Sequence, residues 1–327
     1  MQNDLVLGID IGGTKTSFGF VNRKGVVQGG TVISTEADNP AEAFVIRLHQ
    51  HIENTRKKLS PGHRLIGIGI GAPNANYYRG TIEKAVNLNW GESVDLVALF
   101  RRHYNLPVSI TNDAGAAAIG EMIFGGARGM KHFIVITLGT GLGSGIVANG
   151  SLLHGASGFA GELGHVVVDP EGRQCGCGKR GCLETYVSAN GIRRTAMILL
   201  ARQNIVSGLR SLKYSQMTSK RIYEMALAGD AIALETFDRT ARILGSKLAD
   251  AVAHTSPEAI FLAGGLSQAG DLLLEPTRRY LDTFLFRTYR GTVKLLLSEI
   301  KTGNGAVMGA AALIWSELAS CGENAMT

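Results

Sequence analysis

A chain of 327 residues with 45% hydrophobic and 18% charged residues has a globular composition and is long for a single core, so two lobes are expected. The formal charge of +6 is spread thinly. Its densest basic group, Arg278, Arg279, Arg287 and Arg290, interleaves with Leu281, Phe284 and Leu285 as a solvated helix face does, which argues against a nucleic-acid partner. No apolar run reaches the roughly eighteen residues that cross a membrane and no leader pattern opens the chain, so a cytoplasmic protein is expected.

The first element is an apolar strand from Leu5, a turn Asp10-Ile11-Gly12-Gly13-Thr14-Lys15-Thr16, and a returning strand Ser17–Val21. Gly8 to Lys15 nearly fits the P-loop pattern, but Thr14 intervenes before the lysine and a strand follows where a helix is required. No dinucleotide fingerprint stands between a strand and a helix either. Asp10, ending the first strand, is placed to meet a magnesium ion or its waters. Helical periodicity follows over 41–59, then a strand Leu65–Gly71 ending before Ala72-Pro73. The strand Val108–Thr111 gives way to Asn112-Asp113 and an alanine-rich helix Ala114–Glu121, with a hinge expected near Asp113–Ala118. Asn112-Asp113 has two readings: a helix N-cap, or a cleft carboxylate able to accept a hydroxyl proton.

Phe133–Val147 repeats the opening design: strand, Thr137-Leu138-Gly139-Thr140-Gly141-Leu142-Gly143-Ser144, returning strand. Two matching glycine–threonine hairpins facing each other can cradle a polyphosphate through backbone N–H groups and threonine hydroxyls. Further on, a helix spans 235–254, a strand Ala259–Leu262 ends in Ala263-Gly264-Gly265, and a last helix Val307–Leu318 is expected to cross back to the first lobe. An internal duplication explains the pairing. The expected lobes are 1–116 plus 307–327, and 117–306 with an insertion at 162–184.

That insertion is the most specific stretch. Cys175, Cys177 and Cys182 are spaced by one and four residues with Gly176, Gly178 and Gly181 between them, and His165 lies ten residues upstream of the first. Three thiolates and an imidazole make a closed tetrahedral zinc set. Glu162 and Glu184 bracket the cluster without being needed as ligands. Cys321 has no partner in sequence and is read as a bystander.

Taken together, Asp10-Ile11-Gly12-Gly13-Thr14-Lys15, Gly71-Ala72-Pro73, Asn112-Asp113, Leu138-Gly139-Thr140-Gly141-Leu142-Gly143, Gly161-Glu162-Leu163-Gly164-His165, the cysteine segment to Glu184, and Ala263-Gly264-Gly265 resemble the ROK family of repressors and sugar kinases. The resemblance runs from residue 5 to about 315. It implies an α/β fold of the actin-like ATPase (hexokinase, ribonuclease H-like) type, two lobes with a cleft between them, and ATP with Mg2+ as phosphoryl donor. It also implies a structural Zn2+ held by His165, Cys175, Cys177 and Cys182. Asp113 resembles the family's general base for the sugar 6-hydroxyl. Asn112, Glu162, His165 and Glu184 resemble the sugar ligands, and Asn87 falls in a loop that closes over the sugar. That loop departs from the family pattern, with Asn89 alone between Leu88 and Trp90 and Val86 where proline is common. Asp10, Gly12, Gly13, Thr14, Lys15, Thr140 and Gly141 resemble the phosphate cradle, and Gly264 with Gly265 the adenosine platform.

The implied activity is ATP-dependent phosphorylation of a hexose, glucose first, with N-acetylmannosamine, fructose, mannose or allose behind it, by a homodimer. The first strand begins at Asp4 or Leu5, so the DNA-binding segment of the family's repressors is not expected. Two other classes stay open: a sugar-binding regulator without catalysis, and a zinc-stabilised interaction module. The second leaves the paired hairpins unexplained.

Overall fold

The computed structural model describes residues 3–300 and 303–324, with side chains as far as residue 319. The Cys321 thiol and residues 1, 2 and 325–327 of the expected first lobe lie outside that description.

The chain begins with β1 (Asp4–Ile11), β2 (Lys15–Val21) and β3 (Val27–Ser34), followed by α1 (Ala41–Arg56) and β4 (Arg64–Gly71). A small sheet of β5 (Ala75–Asn76), β6 (Thr81–Glu83) and β7 (Ser93–Asp95) precedes α2 (Leu96–Arg101), β8 (Val108–Thr111) and α3 (Asp113–Phe124). The second part holds β9 (Phe133–Leu138), β10 (Leu142–Ala148), β11 (Ser151–Leu152), α4 (Ala189–Arg202), α5 (Ser219–Leu227) and α6 (Ala231–Thr255). It ends with β12 (Ala259–Ala263), α7 (Asp271–Phe284), β13 (Lys294–Leu297) and α8 (Gly305–Asn324).

Two five-stranded sheets result, ordered β3-β2-β1-β4-β8 and β11-β10-β9-β12-β13. In each, the central strand pairs antiparallel with the strand that returns from the glycine turn and parallel with a later strand. Asp10 stands opposite Ser17 in the first hairpin, and Thr137 opposite Gly143 in the second. Both central strands are covered on two faces, which is why β1 and β9 read as near-continuous apolar runs. The duplicated frame expected from the glycine turns is therefore present strand for strand.

Helices cover both sheets, with α8 on the first and α3 on the second packed against each other between them. Phe44, Val45, Leu48 and Ile52 bury one stripe of α1 in the core of the first sheet. Helix α6 begins four residues before the expected stretch, because Asp230 caps it by accepting from the Ala233 N–H at 3.0 Å. Helix α8 packs on β1, β4 and α3. At Gly69 of β4 a side chain would collide with the Ala310 carbonyl, so strand and helix meet backbone to backbone. Among the described residues no helix is long and apolar enough to cross a membrane.

Candidate active site and metal centre

The C-terminal ends of β1, β9 and β12 open on a cleft between the two sheets. Asp10, Asp113, Thr137 and Gly264 line one cavity there, of about 340 Å3. Gly265 lines a neighbouring cavity of about 340 Å3 with Tyr223, Phe237 and Gln268, and Gln268 borders both.

Local chemistry at the start of α3 separates the two readings of Asn112-Asp113. The Asn112 side chain is the cap: its Oδ1 accepts from the Gly115 N–H at 2.5 Å. That leaves Asp113 free of the cap, and its Oδ1 accepts from the adjacent Ala114 N–H at 2.8 Å. Water reaches the Asp113 carboxyl from the cleft, yet protein surrounds it on its other sides. This desolvation raises its pKa above the ordinary 3.8, against the pull of the Ala114 N–H. Asp10 is pushed up to about 6, first by burial and then by the charge of Asp113. Two facing acids with raised values are a frequent mark of a working site.

The glycine turns flank these acids. In the first, Thr35 secures the backbone from behind: its N–H donates to the Thr14 carbonyl at 3.0 Å and its hydroxyl to the Gly12 carbonyl at 2.6 Å. Thr14 and Lys15 are exposed on the other side. Asn87 lies against this turn, since a Cβ on Gly13 would sit 2.7 Å from the Asn87 Cβ. Its loop is anchored by Trp90, whose Nε1 donates to the Asn39 carbonyl at 3.1 Å. The second turn is secured by the start of α4. The Ala189 N–H donates to the Gly139 carbonyl at 2.9 Å, and Asn190 Nδ2 to the Thr140 carbonyl at 3.3 Å.

The cysteine segment folds as expected from its glycines. Ligand atoms of His165, Cys175, Cys177 and Cys182 all lie within 4.8 Å of one another. Cys177 Sγ and Cys182 Sγ are 3.6 Å apart, and Cys175 Sγ is 3.7 Å from His165 Nδ1. A tetrahedral zinc with Zn–S bonds of about 2.3 Å needs S···S edges of about 3.8 Å, so the set fits zinc in chemistry and in size. His165 Nε2 is left facing Glu162, 3.9 Å from its Oε2. Glu184 joins the cluster from the other side, accepting from the Cys175 thiol at 3.0 Å. Burial raises the pKa of Glu162; His165 offsets this in part, and the charges of Asp113 and Glu184 add to it. The carboxyl groups of Glu162, Glu184 and Asp113 thus share one region, and the metal cluster borders the cleft.

Gly141 connects the second turn to that region. A Cβ there would come within 2.6 Å of Glu184 Oε2, so the turn and the carboxylate are in contact. No local sequence pattern signals this contact, nor two residues that hold the region together. The Ser144 hydroxyl donates to the Gly161 carbonyl and accepts from the Leu163 N–H at 3.1 Å. Arg173 donates to the carbonyls of Thr185 at 2.7 Å and Gly191 at 3.1 Å, with its guanidinium stacked on Tyr186. The Ser188 cap of α4 is readable from sequence as a serine before a helix; Arg173 carries no local signal.

Comparison with known proteins agrees with this geometry. The sequence profile of the ROK family matches residues 6–317. A glucokinase of Halalkalibacterium halodurans is 36% identical over 316 residues, covering 94% of each chain. The crystal structure of a ROK family glucokinase from Streptomyces griseus in complex with glucose and AMPPNP superposes with a TM-score of 0.80 at 34% identity, covering 94% of this chain and 98% of that one. A xylose repressor of Caldicellulosiruptor bescii is 29% identical, covering 98% of this chain and 80% of its own length.

Proposed function

The chain belongs to the ROK family, whose actin-like ATPase fold it carries, and on that premise we propose that it transfers the terminal phosphoryl group of ATP to the 6-hydroxyl of a hexose, with glucose as first substrate. The observation that carries this reading is Asp113: a carboxyl with a raised pKa at the start of α3, tied to the Ala114 N–H and set in the wall of the cleft cavity.

In this reading Asp113 Oδ2 takes the proton of the 6-hydroxyl as that oxygen attacks phosphorus. The Oδ1 of Asn112 is spent on the helix cap, so its Nδ2 is the group left to donate to a sugar hydroxyl. Glu162, Glu184 and His165 Nε2 take neighbouring hydroxyls of the ring, and Asn87 covers the sugar from the first lobe. Gly12, Gly13, Thr14 and Lys15 hold the phosphates from one side, Thr140 and Gly141 from the other, and Gly264 with Gly265 support the adenosine. Asp10 would hold the waters of the Mg2+ that accompanies ATP, an ion that would supply charge neutralisation on the transferred group. His165, Cys175, Cys177 and Cys182 would hold a Zn2+ that supplies architecture and fixes the direction of the imidazole. Positioning and water exclusion are most of what phosphoryl transfer requires.

We read the two lobes as 1–116 plus 307–327 and 117–306, in a cytoplasmic homodimer. The test is an ADP-release assay with ATP, magnesium and a panel of hexoses, beside calorimetric titration of the same sugars. Sugar binding without ADP release would overturn the kinase reading in favour of a sugar-binding regulator. Preference for fructose or an N-acetylated hexose would overturn glucose alone.

A further inference from the structure

The chain passes between the sheets twice: through α3, which leads from β8 towards β9, and after β13, where Ser298 and Ile300 precede α8. Both passages line the cavity that holds Asp10 and Asp113. Asp113, Ala117 and Glu121 follow at steps of four on α3 and share its cavity face, with Glu121 about 12 Å further along the axis than Asp113.

Glu121 is 1% exposed, an unusual place for an acid without a counter-charge. No basic side chain pairs with it among the described residues. Its Oε2 instead accepts from the Gly126 N–H at 2.9 Å, in the turn that leaves α3. Its Oε1 accepts from the Ser298 hydroxyl and from the Ile300 N–H at 3.4 Å, in the second passage. One carboxyl group therefore ties both passages together. Beside it the two helices nearly touch: a Cβ on Gly120 would lie 3.1 Å from the Gly309 Cα of α8 and 3.0 Å from the Ile300 Cδ1.

We propose that Glu121 is a positioning residue that pins the two passages between the sheets and thereby sets how the cleft closes on its substrates. The inference rests on the kinase reading for its effect on turnover. A core that only needed filling at this point would take an apolar side chain at lower desolvation cost. An acid is suited here because it offers two oxygens to three donors on two separate segments. Glutamine keeps the shape but has one oxygen, so its NH2 must face either the Gly126 or the Ile300 N–H, and that amide loses its acceptor.

The experiment compares Glu121→Gln and Ser298→Ala with the wild-type protein. Hydrogen exchange is read at the Gly126 and Ile300 amides without ligand, closure by the glucose-induced change in tryptophan fluorescence (Trp90 and Trp315), and turnover by the coupled assay. Glu121→Gln should exchange about tenfold faster at one of the two amides, the loss of one buried hydrogen bond. Its fluorescence change on adding glucose should shrink, and kcat should fall by about tenfold with the sugar Kd within about twofold. Ser298→Ala should move each readout the same way by less, and it carries the test if Glu121→Gln does not fold. The proposal is overturned if exchange and closure match wild type in the folded variant, or if kcat and sugar affinity fall in equal measure, as a merely structural role predicts. Exchange and closure do not require turnover, so a wild-type protein that binds glucose without phosphorylating it would sink the kinase reading and leave the pin testable.

Discussion

The two glycine–threonine turns occupy equivalent places in duplicated sheets, yet their surroundings differ. The first is held from behind by Thr35 and touched in front by Asn87, both from its own half. The second is held by the start of α4 and touched by Glu184, the last residue of the insertion that carries the cysteines. The duplicated frame thus provides two similar phosphate-sized turns, and the inserted segment makes one of them a neighbour of the sugar groups. Symmetry supplies the scaffold; its breaking supplies the chemistry.

The largest test of that contrast lies at the junction. Asp113→Asn should lower kcat by roughly 10²–10⁴-fold while sugar affinity changes far less, because the two turns persist without the base. A variant keeping more than about a tenth of wild-type turnover would remove Asp113 from the reaction. In the wild type the working form is the ionised one. Activity should therefore fall as pH drops through the raised value of Asp113, with a midpoint above 3.8, measurable as the acid limb of kcat/KM.

The second test separates the halves. Cys175→Ser should abolish stoichiometric zinc, read by atomic spectroscopy, and raise the sugar KM by about tenfold or more by misplacing Glu184 and His165. The KM for ATP should move much less, since the first turn owes nothing to the cysteine segment. Normal sugar binding by zinc-free protein would break the link. Gly141→Val would not separate the halves, because the new side chain would strike Glu184 and disturb both substrates.

A smaller effect is expected at Asn190, the brace of the second turn. Asn190→Ala removes one hydrogen bond worth about 1 kcal/mol, so the ATP KM should rise about fivefold with the sugar KM unchanged. Equal rises in both would mean that α4 supports the whole lobe and not the turn.

The smallest effect is on stability. The Asp10 value is raised from 3.8 to about 6, so the folded state disfavours its charged form and stability is lost as pH rises from 3.8 through about 6. Asp10→Asn should therefore raise Tm by roughly 2–4 °C above pH 6, with the gain vanishing below 3.8. A gain independent of pH would mean that the charge is not the cause.

Much of this was legible in the sequence, for physical reasons that differ by element. The hairpins were readable because glycine and threonine punctuate apolar runs, and the metal set because thiol spacing is short-range. Asn112-Asp113 was ambiguous because a cap and a base use the same residue types; the structure divides the tasks between neighbours. The strands β5 to β7 were invisible because two or three residues carry no period. Arg173, Ser144 and Glu121 act on segments far away in the chain, and no local pattern encodes such partners.

Helix α8 has a consequence for how the protein is made. The face of β1 and β4 that meets Ala310 and Ala311 is completed by residues synthesised some two hundred and more positions after those strands. During translation the opening half therefore waits with an apolar surface uncovered, while the later half already holds its own helices. The oldest strands thus depend on the youngest helix for their cover.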